Sequence, residues 1–299
     1  MKKVLYAVMA AFVLTCAAHA VEVTIVTKAM DSEWWKTVRA GAEKFASEQN
    51  DMKLNVLAPD REINVQQQIQ IIEDQVTNEV DGLVMALCGI QEMIPTVEKV
   101  ARAGIPFVIF DGDVDVPTPL KKAYVGSENY DGGALAGKFV LEQLPDGGEV
   151  GLITGIMGHG PHIGRVAGFM DQVKTNPKIK VAFQQPANSE RSLGMTVMEN
   201  MLTTFPDIKF VFATNDEMAL GAAQAAIAEE HKVDIIGFDG TTEARKAIKE
   251  GVLIGTVDAN AFGLGYECAK AGYQAAKGLE QPNLVKVTYK FLTKANADD

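Results

Sequence analysis

Two aspartates in matching segments are the first residues whose type and spacing indicate chemistry. The segments IFDG at 109–112 and GFDG at 237–240 carry Asp111 and Asp239, one in each half of the chain. A carboxylate in such a position accepts hydrogen bonds from hydroxyl or amine donors, or exchanges a proton as an acid or base. An Asp-Gly pair also suits a tight turn with no further role. Both interpretations are open for each aspartate.

The only two tryptophans stand side by side at the start of a predicted helix. Trp34 and Trp35 follow Ser32, and Trp35 shares a helical face with Val38 and Phe45. That periodicity predicts a core position for Trp35. An aromatic face also covers the C–H face of a sugar ring, while carboxylates and amides bind the hydroxyl edge. The pair is therefore a candidate for the core, for a ligand site, or for one of each.

Residues suited to covalent catalysis or metal binding are few. Outside the first 20 residues the histidines are His159, His162 and His231, and no Gly-x-Ser-x-Gly segment occurs. The pair His159-x-x-His162 lacks a third ligand nearby in sequence, so we expect these histidines to line a cleft loop. The glycines at 155–160 match neither nucleotide-binding pattern and predict a tight turn that brings Arg165 towards a ligand. We predict no catalytic residue, no metal and no cofactor.

The N-terminus has the pattern of an export signal. Lys2 and Lys3 precede an apolar run at 4–17, and Ala18-His19-Ala20 provides small residues for cleavage. A membrane anchor is the alternative, but the run is short for a span of about 20 residues, and the residues before Cys16 fit a lipid anchor poorly. Removal of residues 1–20 would lower the net charge from −11 to −13. Such an acidic chain repels phosphate backbones, so no nucleic acid partner is expected.

From residue 21 onwards, short β-branched runs alternate with amphipathic stretches. Strands are predicted at 23–26, 53–57, 82–86, 106–110, 124–126, 150–153, 181–184, 210–213 and 234–236, with helices between them. This alternation predicts an α/β fold of two halves, each with a parallel sheet covered by helices on both faces. Thr214-x-x-Glu217 is expected to form a capping box and Gly251 a left-handed helix end. Cys88 and Cys268 are predicted core residues, with a disulfide as the alternative.

Parallel strands of such a sheet end at a common crevice. If the two halves face each other, Asp111 and Asp239 point into one cleft.

The segment FATNDEMALGA at 212–222 resembles the periplasmic sugar-binding proteins of ABC transporters, specifically the ribose-binding-like group. GFDG at 237–240, QPA at 185–187, Arg165-x-x-Gly168-Phe169 and the tryptophan pair occur in the same order as in that group. The resemblance extends over residues 22–295.

The resemblance implies a type I periplasmic binding fold, with two Rossmann-like lobes joined by a three-segment hinge. The N-terminal lobe would comprise residues 21–126 and 260–284, and the C-terminal lobe residues 127–259 and 285–299. The implied function is that of a monomeric periplasmic component of an ABC importer, which binds a monosaccharide or polyol by hinge closure and docks on an inner-membrane permease. The alternative is a sensory protein that presents a sugar to a chemoreceptor.

The resemblance also implies a ligand site with residues from both lobes. The matching positions are Trp34, Trp35 and Asp111 in one lobe and Arg165, Asn215 and Asp239 in the other. Five positions depart from the ribose-binding pattern: Lys28, Ser32, Gly112, Ser189 and Ala259. These departures argue against ribose itself. Nearby Asp31, Asp113, Asp258 and Asn260 are candidates to compensate, and Lys28 either contacts the ligand or pairs with Asp31.

Overall fold

Two α/β lobes of the same topology make up the protein. The computed structural model describes residues 20–298, so the predicted export signal lies almost entirely outside the described residues. In chain order the first elements are β1 (Val21–Val26), α1 (Glu33–Ser47), β2 (Met52–Leu57), α2 (Val65–Thr77), β3 (Gly82–Met85), α3 (Ile90–Arg102), β4 (Phe107–Phe110) and β5 (Lys121–Gly126). They form most of the first lobe.

The second lobe repeats this series, and the chain then returns to the first. The remaining elements are α4 (Asn129–Gln143), β6 (Gly148–Thr154), α5 (Gly160–Val173), β7 (Ile179–Pro186), α6 (Arg191–Thr204), β8 (Phe210–Ala213), α7 (Asp216–Ala228), β9 (Asp234–Asp239), α8 (Thr242–Glu250), β10 (Gly255–Asp258), α9 (Ala261–Ala276), β11 (Leu284–Lys286) and β12 (Lys290–Leu292). Helix α9 packs on α1 and on the first sheet.

Each lobe is centred on a six-stranded sheet, and the two sheets have equivalent strand orders. The orders are β11-β5-β4-β3-β1-β2 and β12-β10-β9-β8-β6-β7. All neighbours are parallel except β12, which runs antiparallel to β10. Strands such as β3 and β4 are buried along their whole length, as expected for parallel strands with helices on both faces. The predicted α/β fold with two parallel-sheet lobes is confirmed.

The close packing of α4 against α5 fixes the position of Arg165. A Cβ on Gly133 would lie 1.9 Å from the backbone oxygen of Arg165, and one on Gly168 would lie 1.9 Å from that of Tyr130. Only glycine allows the two helix backbones to approach this closely. Arg165 is therefore held at the cleft end of α5 by backbone packing.

Three chain segments connect the lobes. The chain leaves the first sheet after β5, returns between β10 and α9, and crosses again between β11 and β12. The first two crossings lie near 126–127 and 258–260. The third lies between Lys286 and Lys290, because Leu284–Lys286 still pairs with β5. The residue ranges expected for the two lobes stay a prediction.

The helix ends and the cysteines mostly follow the sequence expectations. Gly251 has the predicted left-handed backbone, with φ 78°. Helix α5 begins at Gly160, because Pro161 suits a first helical turn. Cys88 and Cys268 are free and buried, as the core interpretation predicted. Within residues 20–298, every helix is too short or too polar to cross a membrane.

Candidate functional site

The carboxyl ends of strands from both sheets meet at one cleft between the lobes. The lining residues are Lys28, Ser32, Trp34, Trp35, Glu62 and Asp111 from the first lobe and Pro161, His162, Arg165, Ser189, Asn215, Glu217, Asp239 and Thr241 from the second. The fold thus brings together every residue of the expected site except Asn260. Contact with a ligand stays a prediction for each of them.

The two aspartates of the repeated segment occupy equivalent positions. Asp111 directly follows β4 and Asp239 ends β9. Both have positive φ, 65° and 126°, as do Asn188 and Ser189 beside the cleft. Non-glycine residues in such conformations carry strain of about 1–3 kcal/mol and are concentrated at functional sites. The turn and cleft interpretations therefore both apply, because the turn directs each carboxylate into the cleft.

Lys28 forms an ion pair with Asp111, with 2.6 Å between Nζ and Oδ2. The expected alternative, a pair with Asp31, is wrong. Lys28 lies just past β1 and points into the cleft, whereas Asp31 is exposed. Burial alone would lower the pKa of Lys28, but the Asp111 carboxylate raises it overall. Burial likewise opposes ionisation of Asp111, yet Lys28 and Arg165 hold its pKa below the usual value. Both groups are charged.

Arg165 is immobilised by contacts on three sides. Its Nη1 donates to the backbone oxygen of Thr214 at 2.7 Å, and its Nε donates to Oδ1 of Asn129 at 2.9 Å. The guanidinium lies 3.7 Å from the centre of the Phe238 ring and 3.6 Å from Oδ1 of Asp239. Burial raises the pKa of Asp239 well above its usual value, although Arg165 opposes this. The cleft therefore holds a preorganised planar donor beside a buried acceptor.

Asn215 is the N-cap of α7, so the predicted capping box with Thr214 as its first residue is wrong. Oδ1 of Asn215 accepts from the Met218 amide at 2.9 Å, which leaves its amide nitrogen near the cleft. Thr214 lies one residue too early to cap. Its hydroxyl instead accepts from the Gly155 amide at 3.0 Å and contacts Nδ1 of His162 at 2.9 Å.

The tryptophans divide between the two interpretations. Trp35 is buried in the core, edge-on to Phe110, and its indole nitrogen donates to Oε1 of Glu62 at 2.7 Å. Trp34 borders the cleft beside Asp111 and Arg165. Ser32 is the N-cap of α1, and its hydroxyl accepts from the Trp35 amide. The helix start thus presents one indole face to the cleft.

Asn260 lies outside the group that lines this cleft. It is the N-cap of α9, and its Oδ1 accepts from the Gly263 amide at 3.0 Å. It faces an adjoining depression. Two of the other suggested compensating residues are also engaged: Asp113 binds Lys121 at 2.6 Å and Asp258 binds Arg245 at 2.8 Å. Of the residues that depart from the family pattern, Lys28, Ser32 and Ser189 line the cleft. The Ser189 hydroxyl lies 3.1 Å from Nε2 of His162.

Glu62 lines the cleft although the sequence pattern did not assign it to the site, whereas His162 lies in the cleft loop where the histidine pair was expected. Glu62 lies in the loop after β2, and a search of every loop that follows a predicted strand would have found it. Three side chains, those of Glu62, His159 and His162, each offer one possible ligand atom. These three atoms lie within 4.8 Å of one another. The sequence argument against a cation site depended on a missing third residue, which the other lobe supplies.

Comparisons with known proteins agree on the family. The periplasmic binding protein domain family matches residues 23–280. The D-allose-binding periplasmic protein of Escherichia coli is 30% identical over 272 residues, covering 88% of this chain and 87% of that protein. The ribose import binding protein of Bacillus subtilis is 31% identical over 228 residues, covering 76% and 72%. An ABC transporter periplasmic solute binding protein from Actinobacillus succinogenes, solved with bound D-allose, matches with a TM-score of 0.86 and 27% identity, covering 93% and 99%.

Proposed function

The chain belongs to the periplasmic binding protein family, and we propose that it is the solute-binding component of an ABC importer that encloses a monosaccharide or related polyol between its lobes. As a member of a family of binding proteins it is not an enzyme, as the sequence predicted. The observation that carries the proposal is the cleft itself. Lys28 and Asp111 from one lobe face Arg165 and Asp239 from the other, beside the ring of Trp34.

This chemistry suits a ring with many hydroxyl groups. Carboxylates accept from hydroxyls, while Lys28, Arg165 and the amide of Asn215 donate to hydroxyl and ring oxygens. Trp34 offers an apolar face to the C–H side of the ring. A hydroxyl of the wrong stereochemistry leaves a buried group unpaired, at a cost of about 1–3 kcal/mol. Selectivity is therefore expected to depend on hydroxyl stereochemistry.

Contacts between the lobes support closure about the three crossings. Glu33 of α1 accepts from the Thr242 amide at 2.7 Å and from the Glu243 amide at 3.3 Å, at the start of α8. Arg61 and Glu190 form an ion pair across the cleft entrance. Ligand that touches both lobes would favour this arrangement over one with the lobes apart.

The proposed role includes a place in the cell and a partner. The protein would work as a periplasmic monomer after removal of residues 1–20 and would deliver its ligand to an inner-membrane permease. No observation on residues 20–298 favours the sensory alternative. Stimulation of the permease-linked ATPase by the liganded protein would support import.

The direct test is a thermal-shift screen of the purified protein against sugars and polyols, followed by calorimetry. A ligand that binds only the folded state raises the melting temperature, by an amount that grows with its concentration relative to Kd. We expect at least one monosaccharide or polyol to bind with micromolar or tighter affinity and to be recovered unchanged. If no member of a broad panel shifts the melting temperature, the proposed function is wrong.

Ligand affinity is expected to fall at low pH through His159. This residue is buried against the first lobe, where it hydrogen-bonds the Cys88 backbone, and burial together with the charge of Lys28 lowers its pKa to about 4. With the lobes apart, its pKa would be near 6.5. Closure then requires the neutral ring, so affinity is complete above pH 6.5 and is lost as the pH falls towards 4. Linkage between His159 protonation and lobe closure gives roughly a 25-fold loss of ligand affinity between pH 7.5 and 5.

Calorimetry across this pH range checks the expectation. His159→Gln should flatten the profile, while His231→Gln, at the far end of α7, should retain it. A wild-type affinity that is the same at pH 5 and 7.5 would contradict the role of His159 in closure.

A further inference from the structure

The carboxyl groups that line the cleft differ in whether a lysine or arginine lies beside them. Asp111 is paired with Lys28, and Asp239 lies beside Arg165. Glu217, at the edge, is bound by Arg191 at 2.9 Å. Glu62 has no such partner: among residues 20–298, no lysine or arginine nitrogen lies within ion-pair distance of it, and the neutral indole of Trp35 donates its hydrogen bond. Burial raises the pKa of Glu62, and Lys28 and Arg165 oppose this shift from beyond ion-pair distance. A ligand cation beside Glu62 would therefore favour its charged form.

Glu62 is also part of a group of acceptors. One atom of its carboxylate and one ring nitrogen from each of His159 and His162 lie within 4.8 Å of one another. Burial lowers the pKa of both histidines, so each ring is neutral and keeps one nitrogen as an acceptor. Nδ1 of His159 is buried without a hydrogen-bond partner in the described part of the chain. His162 already contacts the hydroxyls of Thr214 and Ser189, so the group lacks a donor for Nδ1 of His159 and a cation beside Glu62.

An ammonium group supplies both. It has three N–H donors directed tetrahedrally, and at charge-assisted distances of about 2.8 Å its three acceptors lie about 4.6 Å apart. A tetrahedral zinc ion with ligands at about 2.0–2.1 Å would need those atoms about 3.4 Å apart. Both spacings lie within the 4.8 Å that bounds the three atoms, so the geometry admits either cation. The charges of Lys28 and Arg165, which line the same cleft, disfavour a dication more than a single charge.

We propose that the natural ligand is an amine-bearing polyol, such as an amino sugar or an amino-substituted cyclitol, and that Glu62 is the residue that selects its ammonium group. This inference rests on the proposed function and names the ligand class of the same cleft. The ring hydroxyls are bound by the paired groups Asp111, Lys28, Asp239 and Arg165. The ammonium binds at the Glu62 side of the cleft, next to the carboxylate of Glu62.

Calorimetry at pH 7.5 with matched ligand sets tests this proposal. Each set contains an amine, its hydroxyl parent and its N-acetyl derivative: hexosamines with the amine at C2, C3 or C6, and an aminocyclitol with its parent inositol. At least one amine is expected to bind at least tenfold more tightly than its parent and its N-acetyl derivative. The Glu62→Gln substitution keeps the size of the side chain and its ability to form hydrogen bonds. The affinity of this variant for the amine should fall at least tenfold, while its affinity for the hydroxyl parent should change less than threefold. Glu43→Gln, an exposed glutamate of α1 paired with Arg39, should bind like the wild type.

The outcomes separate this proposal from the proposed function. Neutral parents that bind as tightly as their amines would overturn the ammonium proposal and leave sugar binding intact. An amine preference that survives Glu62→Gln would overturn the role of Glu62. Stabilisation by zinc chloride that Glu62→Gln abolishes, without any amine preference, would assign the group to a metal. If neither amines nor neutral polyols bind, the proposed function itself is wrong. The wild-type comparison decides the ligand class even if the variant does not fold.

Discussion

Arg165→Ala is expected to reduce ligand affinity at least 100-fold and to lower the free energy of unfolding by about 3 kcal/mol. Arg165 is the donor held most rigidly in the cleft, through Thr214, Asn129 and the Phe238 ring. A charge-assisted hydrogen bond to a ligand contributes about 1.5–3 kcal/mol, and a planar guanidinium offers two at once. Its removal also leaves the Thr214 backbone oxygen and Oδ1 of Asn129 without their donor and removes the positive charge beside the buried Asp239, which accounts for the loss of stability.

Calorimetry and chemical denaturation separate the two effects of Arg165→Ala. Arg165→Lys should restore part of the stability, because it returns a positive charge, but little of the affinity, because an ammonium lacks the planar pair of donors. Arg39→Ala, which removes an exposed arginine of α1, should change neither quantity appreciably. Wild-type affinity in a folded Arg165→Ala protein would show that the cleft residues have been assigned incorrectly.

Asp216→Ala is expected to have the largest effect on stability, a loss of about 3–5 kcal/mol. This fully buried carboxylate lies at the start of α7 and accepts from the Thr241 amide at 2.8 Å, the Thr241 hydroxyl at 3.0 Å and the Thr256 hydroxyl at 2.6 Å. Each donor left unpaired in the interior costs about 1–3 kcal/mol. These bonds connect α7 to the loop after β9 and to β10, so the loss should also disorder the turn that carries Asp239.

The pH dependence of Asp216→Ala provides an independent readout. Burial raises the pKa of Asp216 to about 7, although its hydrogen bonds oppose the shift. The folded state therefore holds this proton more tightly than the unfolded state. The contribution of this proton to the free energy of unfolding is greatest below about pH 4 and is lost as the pH rises to 7. Urea titrations at pH 5 and 8 should show this decline in the wild type but less of it in Asp216→Ala.

Asp207→Ala is the matched control for Asp216→Ala. It removes an exposed carboxylate from the same lobe and should change stability by less than about 0.5 kcal/mol. Asp216→Asn keeps one acceptor oxygen, so its free energy of unfolding should lie between those of the alanine variant and the wild type. A loss below about 1 kcal/mol in Asp216→Ala would contradict the assigned role of the buried bonds.

The fold class and the meeting of Asp111 with Asp239 could be predicted from the residues alone, whereas most other cleft residues were expected only from the family resemblance. Buried parallel strands are almost continuously apolar, so their runs and the intervening amphipathic helices are visible residue by residue. Because all such strands end at one edge, Asp111 and Asp239 could be assigned to a common cleft from their positions in the chain. The position of Gly251 and the core location of Cys88 and Cys268 also followed from local pattern.

Which charges meet, in contrast, depends on the tertiary structure. Lys28 binds Asp111, 83 residues away, and not its near neighbour Asp31. Glu62 joins two histidines of the other lobe. Asn215 caps α7, although the Thr214-x-x-Glu217 spacing predicted Thr214 as the cap. Hydrophobic periodicity fixes the face on which a side chain lies, but it is insensitive to pairing between loops. Those pairings depend on how two lobes, joined by three crossings, place the ends of different strands against each other.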